Sequence, residues 1–298
     1  MPAEADSWFE GKMMKAGRRP LSIVMALVLA GMSVLTFRVH EAEASGTIYI
    51  MADGSIDPAT AAIQRDGDVY TFTGNIYETI SVERDNIAID GNGYTLQDQT
   101  GQDDGFSLND VSGVTIINTN ILGFDDGIDI IRSSDNTIGG NNIANNYNGI
   151  HMHFFCNGNT IRNNNISDNE NCGITIYGDS AENIVYHNNF VDNNLQASTQ
   201  NAYSGTWYKD TEGNFWSDYT GIDSSGDGIG DTSYMIEGGS QDGYPLMNPW
   251  IIVEESPEEE DSEDQNGDIL EGSLLYGLII AAIVIVATVV FLIVRRRR

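Results

Sequence analysis

Apolar and polar residues alternate in short stretches along the middle of the chain, and the whole arrangement repeats every 22 to 24 residues. Such alternation is typical of β-strands, and the Asn, Asp and Gly residues between the stretches are typical of tight turns. Each repeat contains three stretches. One of them begins with a Gly–apolar pair in every repeat, at Gly105-Phe106, Gly127-Ile128, Gly149-Ile150 and Gly173-Ile174. The pattern therefore predicts three strands per repeat, joined by sharp corners.

A repeat of this length and strand content predicts an all-β fold, a right-handed parallel β-helix of about six or seven coils. Leucine-rich repeats share the period but need a leucine framework that this chain lacks, and propeller blades need about twice the length. Strands of successive coils would stack at a spacing of about 4.8 Å. Asn142, Asn165 and Asn189 recur at equivalent corners, where stacked side-chain amides are predicted to form a hydrogen-bonded ladder.

The register of the repeats predicts which side chains share an outer face. If the apolar residue of each Gly–apolar pair points inward, the residue two positions later does so too, and the residue between them points outward. The set predicted to share one outer face is Asp129, His151, His153 and Tyr177. The acidic pairs Asp103-Asp104 and Asp125-Asp126 are predicted to stack on each other at the corner that leads into this face.

Two stretches carry a resemblance to a known family: NGIHMHFFCNGNTIRNNNISDNENCGITIY in the repeats and GDVYTFTGNIYETISVERDNIAIDGNGYTL at their start. They resemble the NosD-like right-handed parallel β-helix proteins of the pectin-lyase-like superfamily, over roughly Gly46 to Trp250. The closing GNFWSDYTGIDSSGDGIGDTSY resembles the end of such domains on archaeal surface proteins. The resemblance implies the fold and leaves the activity open, because this superfamily includes lyases, hydrolases, epimerases and proteins without catalytic activity.

The outer face admits two kinds of chemistry. The resemblance implies glycan-directed acid–base chemistry on such a face, with candidate catalytic residues Asp129, His151, Asp125 and Asp126. FDDGIDI resembles the paired-Asp motif of polygalacturonase-like hydrolases, but the Gly-His-Gly and Arg-x-Lys motifs of that family are absent, so we favour binding without catalysis. Alternatively, His151 and His153 are candidate copper or zinc ligands with Asp129 beside them. The resemblance permits this role, since the NosD family is associated with copper-site maturation.

A second candidate ligand set follows the repeats. Oxygen-bearing side chains alternate with glycines at Asp223, Ser225, Asp227 and Asp231, a pattern typical of short calcium loops in extracellular proteins. Tyr234 occupies the twelfth position, where an EF-hand needs Glu, so this is not a complete EF-hand. We predict a structural calcium ion in this loop.

Both ends of the chain carry membrane-targeting patterns. Basic residues, an apolar run and Ala42-Glu43-Ala44 follow one another in the order of a secretory signal peptide. Near the other end, Leu274–Val294 is a run of 21 residues without a charge, long enough to span a bilayer and followed by four arginines. The predicted order is signal peptide (1–44), β-helix with its N-terminal cap (45–200), C-terminal cap (201–250), acidic linker (251–273), transmembrane helix (274–294) and cytoplasmic Arg tail (295–298).

Composition narrows the function further. The 14 Lys and Arg residues stand against 44 Asp and Glu, a net charge of −30, which excludes a nucleic-acid binder held by phosphate contacts. Cys156 and Cys172 fall near opposite ends of a strand on adjacent coils, so no disulfide is predicted.

We expect a single-pass cell-surface protein whose ectodomain binds carbohydrate or serves as an envelope scaffold. Its candidate sugar-binding residues are Tyr177, Trp207 and Trp216, the tryptophans serving otherwise to cap the open end of the β-helix. A polysaccharide-active enzyme and NosD-like copper delivery are the alternatives.

Overall fold

The strands of each repeat stack on those of the next and form a parallel β-helix. The computed structural model describes residues 46–98, 100–200 and 205–257. Three sheets run along this part of the chain, and about six turns of the solenoid connect them. The predicted all-β, parallel β-helix architecture is therefore confirmed.

The strands fall into three long sheets and one small one. The first of these has eight strands and is called the long sheet below. It contains, in spatial order, β2 (Ile56–Asp57), β1 (Thr47–Ile50), β5 (Thr79–Val82), β8 (Phe106–Asn109), β11 (Asp126–Ile131), β14 (Asn148–His153), β17 (Cys172–Tyr177) and β20 (Leu195–Gln200). The second contains β3 (Ile63–Asp66), β4 (Val69–Phe72), β6 (Ala88–Asp90), β9 (Thr115–Ile117), β12 (Thr137–Gly139), β15 (Thr160–Arg162) and β18 (Ile184–Tyr186). The third contains β7 (Thr95–Gln97), β10 (Asn120–Leu122), β13 (Asn142–Ala144), β16 (Asn165–Ser167), β19 (Asn189–Val191) and β21 (Phe215–Trp216). The small sheet pairs β22 (Tyr234–Met235) with β23 (Gln241–Asp242).

The predicted membrane segments fall on residues beyond the described ranges. These are the signal peptide, the transmembrane helix, the Arg tail and the linker after residue 257. Within the described ranges, no helix combines the length and the apolar character needed to cross a membrane. The single-pass anchor stays a prediction.

The register of the long sheet is the one that the glycine pattern predicts. Phe106 pairs with Ile128, Ile128 with Ile150, and Ile150 with Ile174, and all four side chains are fully buried. The residues two positions later are buried as well. Since successive strand residues point to opposite faces, the residues between them face outward in columns.

Buried asparagines line three inner corners of the solenoid. In each ladder a side-chain oxygen accepts the backbone N–H of the asparagine one coil earlier, and the side-chain NH₂ bonds to the asparagine one coil later. The ladders are Asn136–Asn159–Asn183, Asn141–Asn164–Asn188–Asn214 and Asn146–Asn169–Asn193. The ladders satisfy backbone groups that the turns would otherwise leave unpaired inside the protein, which would be costly.

The ladder predicted at Asn142, Asn165 and Asn189 lies on the outside and is shorter than expected. Asn165 Nδ2 donates to Asn142 Oδ1 at 2.8 Å. Asn189 leaves the series, because its side chain bonds instead to the backbone N–H and carbonyl of Trp250. The prediction is therefore wrong for Asn189, whose side-chain hydrogen bonds go to a distant segment of the chain.

The C-terminal cap closes the open end of the core with aromatic rings. Trp207 and Trp216 are 2% and 1% exposed. Trp216 stacks between Phe190 and Tyr234, with ring centroids 4.4 and 4.2 Å away. Both rings lie in the core, where the predicted capping role requires them. Neither buried ring offers a free face to a ligand in this structure, and sugar binding by the two tryptophans stays a prediction.

The segment after the cap returns along the side of the solenoid. The ring of Trp250 stacks on His187 with centroids 3.5 Å apart. Glu255 forms an ion pair with Arg162, and its backbone exchanges hydrogen bonds with Asn118. The first residues of the predicted acidic linker therefore lie against the solenoid, although repulsion between like charges favours an extended segment.

Candidate metal centre

Two neighbouring strands of the long sheet supply the candidate metal ligands. Asp129 of β11 stands opposite His151 of β14, and His153 follows two residues later on the same strand. The residues between them, Ile130 and Met152, are fully buried. Strand alternation therefore places all three ligand candidates on the outer face, as the register predicts.

The donor atoms of these three residues converge. One carboxylate oxygen of Asp129 and one ring nitrogen from each histidine all lie within 4.8 Å of one another. In the described part of the chain, this is the one group of three or more His, Cys, Asp or Glu side chains that meets in this way. His153 Nε2 lies 2.9 Å from Asp129 Oδ1, and the two imidazole rings stack 4.6 Å apart with an interplanar angle of 2°.

A second layer of side chains fixes the orientation of both rings. His151 Nδ1 lies 2.7 Å from Asp126 Oδ2, which leaves Nε2 as the ring nitrogen for a ligand. Asp126 is itself held by Asn148, whose Nδ2 donates to Asp126 Oδ1 at 2.7 Å. The hydroxyl of Tyr177 lies 3.2 Å from His153 Nδ1. Carboxylate and hydroxyl partners on the second ring nitrogen are the usual way that proteins orient metal-binding histidines.

Burial and neighbouring charges raise the pKa of two carboxylates on this face, Asp129 and Asp104. Burial, with added repulsion from Asp104 and Asp126, raises the pKa of Asp129 to about 7. Burial and the charge of Asp126 raise the pKa of Asp104 to about 6. Near neutral pH the cluster therefore holds protons that a bound cation would displace.

The two histidines shift in opposite directions. Burial alone would lower the pKa of His151, but the hydrogen bond and charge of Asp126 outweigh it, and the pKa rises. Burial and the neighbouring His151 lower the pKa of His153. Asp129 and His153 thus both shift towards their neutral forms, and a neutral imidazole is the form that binds metals.

Aromatic side chains border the centre. Phe154 and Phe155 follow β14 with φ angles of 61° and 62°, a left-handed conformation that is uncommon for bulky residues. The Phe154 ring lies 5.1 Å from His153 and 5.6 Å from Tyr177, measured between centroids. Tyr147, which immediately precedes β14, is exposed.

The remaining predicted site residues are partly brought into this centre. Asp126 belongs to it through His151, and the exposed Asp125 lies at its edge, where burial and the charge of Asp126 raise its pKa. Asn148 was not among the candidates, and Asp104 was predicted only as part of the acidic pair that stacks against Asp125-Asp126. Their signal was available, because they occupy the position before the glycine in neighbouring coils, the same position as Asp126.

The predicted calcium loop is closed by its own hydrogen bonds. The carboxylate of Asp223 accepts backbone N–H groups of Gly226, Asp227 and Gly228, which lowers its pKa. Asp231 accepts the backbone N–H of Ser224, and the Ser225 hydroxyl donates to Asp223. Calcium binding at Asp223, Ser225, Asp227 and Asp231 stays a prediction.

Both cysteines are free and buried. Cys156 Sγ contacts the carbonyl oxygens of Ile130 and His153, and Cys172 Sγ contacts that of Ile174. Burial raises the pKa of both thiols. Their sulfur atoms therefore belong to the interior and not to the outer face.

Fold and site together define a parallel β-helix protein with a histidine–carboxylate cluster on the outer face of one sheet. The sequence profile of the family described as "Periplasmic copper-binding protein (NosD)" matches residues 40–221. This match covers more than half of the chain, which therefore belongs to the NosD family.

Two curated relatives share part of this region. A "Probable ABC transporter binding protein NosD" of Stutzerimonas stutzeri is 38% identical over 76 residues, which is 26% of this chain and 17% of the relative. The protein of the same description from Pseudomonas aeruginosa is 36% identical over 76 residues, 26% of this chain and 18% of the relative. The chain thus matches less than a fifth of the length of either relative. The archaeal character suggested by the C-terminal cap stays a prediction.

Proposed function

We propose that this protein binds a copper ion on the outer face of its β-helix, through Asp129, His151 and His153. The observation that carries the proposal is the convergence of the three donors within 4.8 Å of one another. The orienting contacts of Asp126 and Tyr177 support it, because a solvated surface cluster would not need them. The family description names copper and not calcium, which favours this metal.

The donor set suits a late first-row transition metal. Imidazole nitrogens bind copper, zinc and nickel, and copper has the highest affinity in the Irving–Williams order. Three protein ligands on a solvent-facing surface also leave coordination positions for water or for a group on another molecule. We propose that such a site holds the ion exchangeably, as delivery of a metal requires.

We propose further that the β-helix lies outside the cytoplasmic membrane. The signal-peptide pattern of residues 1–44 supports this location, and the family description agrees with it by placing its members in the periplasm. A membrane anchor at residues 274–294 completes the proposal.

Metal analysis of the full-length chain tests the copper site. A chelator would first remove any bound metal. The protein would then be dialysed against a small molar excess of Cu²⁺ and analysed for bound copper. We expect about one equivalent, lost in the double variant His151→Asn/His153→Asn. His187→Asn is the matched control, since His187 lies in a different corner and its φ of 56° suits Asn. Equal copper in all three proteins would contradict the proposal.

Carbohydrate binding on the same face is a second candidate. It is favoured by the exposed rings of Tyr147 and Phe154, which are 48% and 46% exposed at the two ends of β14. Asp104 and Asp129, with their raised pKa, supply the type of group that a hydrolase or lyase would use as an acid. Incubation with uronic-acid and neutral polysaccharides tests this role. Retention without released oligosaccharides would indicate binding, and release that Asp129→Asn abolishes would indicate catalysis.

A further inference from the structure

We infer that the outer-face centre selects copper in its divalent, cupric state over the monovalent, cuprous state. The inference rests on the proposed copper site and adds the oxidation state of the ion that the site accepts. Three features support it: the chemistry of the donors, the direction of the nearby sulfur atoms and the charge around the site.

The donors are two imidazoles and a carboxylate. Soft thiolate and thioether ligands favour Cu⁺, whereas nitrogen and oxygen ligands together favour Cu²⁺. Asp129 is the deciding residue, because an anionic oxygen is a hard donor. Its carboxylate lies against His153 Nε2 at 2.9 Å, so an ion bound by the histidines would also meet this oxygen.

The sulfur atoms closest in sequence to the ligands are turned away from them. Met152 lies between the two histidines on β14 but is fully buried in the core. Cys156 follows shortly after and is also fully buried, with its thiol against the carbonyl oxygens of Ile130 and His153. Strand alternation keeps these sulfurs on the inner side of the sheet, so neither can bind an ion on the outer face.

The charge around the centre favours the doubly charged ion. Asp126 contacts His151 directly, and Asp104 and Asp125 lie in the same acidic patch at the corner of the coils. Coulomb attraction scales with the charge of the ion, so these carboxylates attract a divalent cation about twice as strongly as a monovalent one. The side chains of His151 and His153 are 21% and 15% exposed, which leaves solvent access for the additional ligands that Cu²⁺ takes.

Parallel titrations with the two copper ions test the inference. The full-length chain and the double variant His151→Asn/His153→Asn would be titrated with Cu²⁺ against a chromophoric competitor. Both would also be titrated anaerobically with Cu⁺ against a cuprous-specific chelator. We expect the double variant to bind Cu²⁺ at least about 100-fold more weakly, as for loss of two metal ligands, and to bind Cu⁺ within about threefold of the parent. Electron paramagnetic resonance of the cupric form should show coupling to two nitrogen nuclei.

Asp129→Asn separates the hard donor from the histidines. We expect it to weaken Cu²⁺ binding by about 10-fold or more and to leave Cu⁺ binding unchanged. A Cu⁺ affinity that falls as much as the Cu²⁺ affinity in these variants would overturn the cupric assignment and leave the copper site in place. If neither Cu²⁺ nor Cu⁺ binds in a way that depends on the histidines, the copper site itself is overturned. Far-ultraviolet circular dichroism of each variant checks that the β-helix is intact.

Discussion

Asp129→Asn should make the metal-free protein more stable at alkaline pH while it removes a metal ligand. The Asp129 side chain is 9% exposed and lies among other carboxylates, so its ionised form is unfavourable in the folded state. Asparagine has nearly the same shape and cannot ionise. Its side chain can still hydrogen-bond to His153, so the substitution should not disturb packing.

The size of the effect follows from the pKa of Asp129. The pKa rises from its ordinary value of 3.8 to about 7, and each unit corresponds to about 1.4 kcal/mol, which gives about 4 kcal/mol at most. The centre opens to solvent on its outer side, and screening there reduces the expected gain to about 2 kcal/mol. For a domain of this size that corresponds to a rise in melting temperature of about 4–8 °C.

The sign of the effect depends on pH. Because the folded-state pKa of Asp129 is raised, the folded protein holds its proton more tightly than the unfolded chain does. The ionisation of Asp129 therefore costs the wild-type protein stability as the pH rises from about 4 to about 7, and the variant lacks this loss. The stabilisation by Asp129→Asn should be full at pH 8 and should disappear near pH 4.

Thermal unfolding with a chelator present, measured from pH 4 to pH 8, tests this prediction. Asp110→Asn is the matched control, because Arg132 lowers the pKa of Asp110 and neutralising this carboxylate should give no stabilisation at pH 8. Adding Cu²⁺ should raise the melting temperature of the wild-type protein more than that of Asp129→Asn. Equal melting temperatures for wild type and Asp129→Asn at pH 8 would refute the argument from carboxylate repulsion.

Three further predictions concern the scaffold. Asn164→Ala should cost about 3 kcal/mol in urea unfolding, since it leaves buried backbone groups unpaired, whereas Asn165→Ala on the outer ladder should cost less than about 1 kcal/mol; similar losses would show that the inner ladder has no special weight. Asp242→Asn should destabilise the cap by about 2 kcal/mol, because the carboxylate accepts several N–H donors and an amide NH₂ would face one of them; an unchanged unfolding midpoint by tryptophan fluorescence would count against this. Glu255→Gln should increase protease cleavage between residues 248 and 257, whereas Glu254→Gln, at an exposed position, should not; identical digestion patterns would show that the ion pair does not hold this segment.

The register of the outer face could be predicted from the sequence because two independent signals agree. Glycine marks the same position in successive coils, and the apolar residue after it marks the inner side. Together they place Asp129 opposite His151 and His153 opposite Tyr177, which the structure confirms. A one-residue error would have moved every one of these side chains into the core.

The inner ladders and the returning segment could not be predicted in the same way. In Asn141-Asn142 both residues are asparagine, and only the backbone of the corner decides that Asn141 is the buried one. The ion pair of Glu255 with Arg162 joins residues far apart in the chain, and the acidic residues around Glu255 predict repulsion and not docking. The local sequence pattern indicates where strands form. The inner ladders and the Glu255–Arg162 ion pair depend instead on how distant residues meet in the folded protein.

The stacking of coils also makes the outer surface of the long sheet a regular lattice. The arrangement of one residue on a strand and two alternate residues on the next recurs two coils further on, at Thr175, Ser198 and Gln200. The offset between the two sets is fixed by the backbone, at about 10 Å for two strand spacings. A binding site on such a lattice can be copied, moved or widened by exchanging outward-facing side chains alone. The protein can therefore acquire new surface chemistry coil by coil while its buried columns remain as they are.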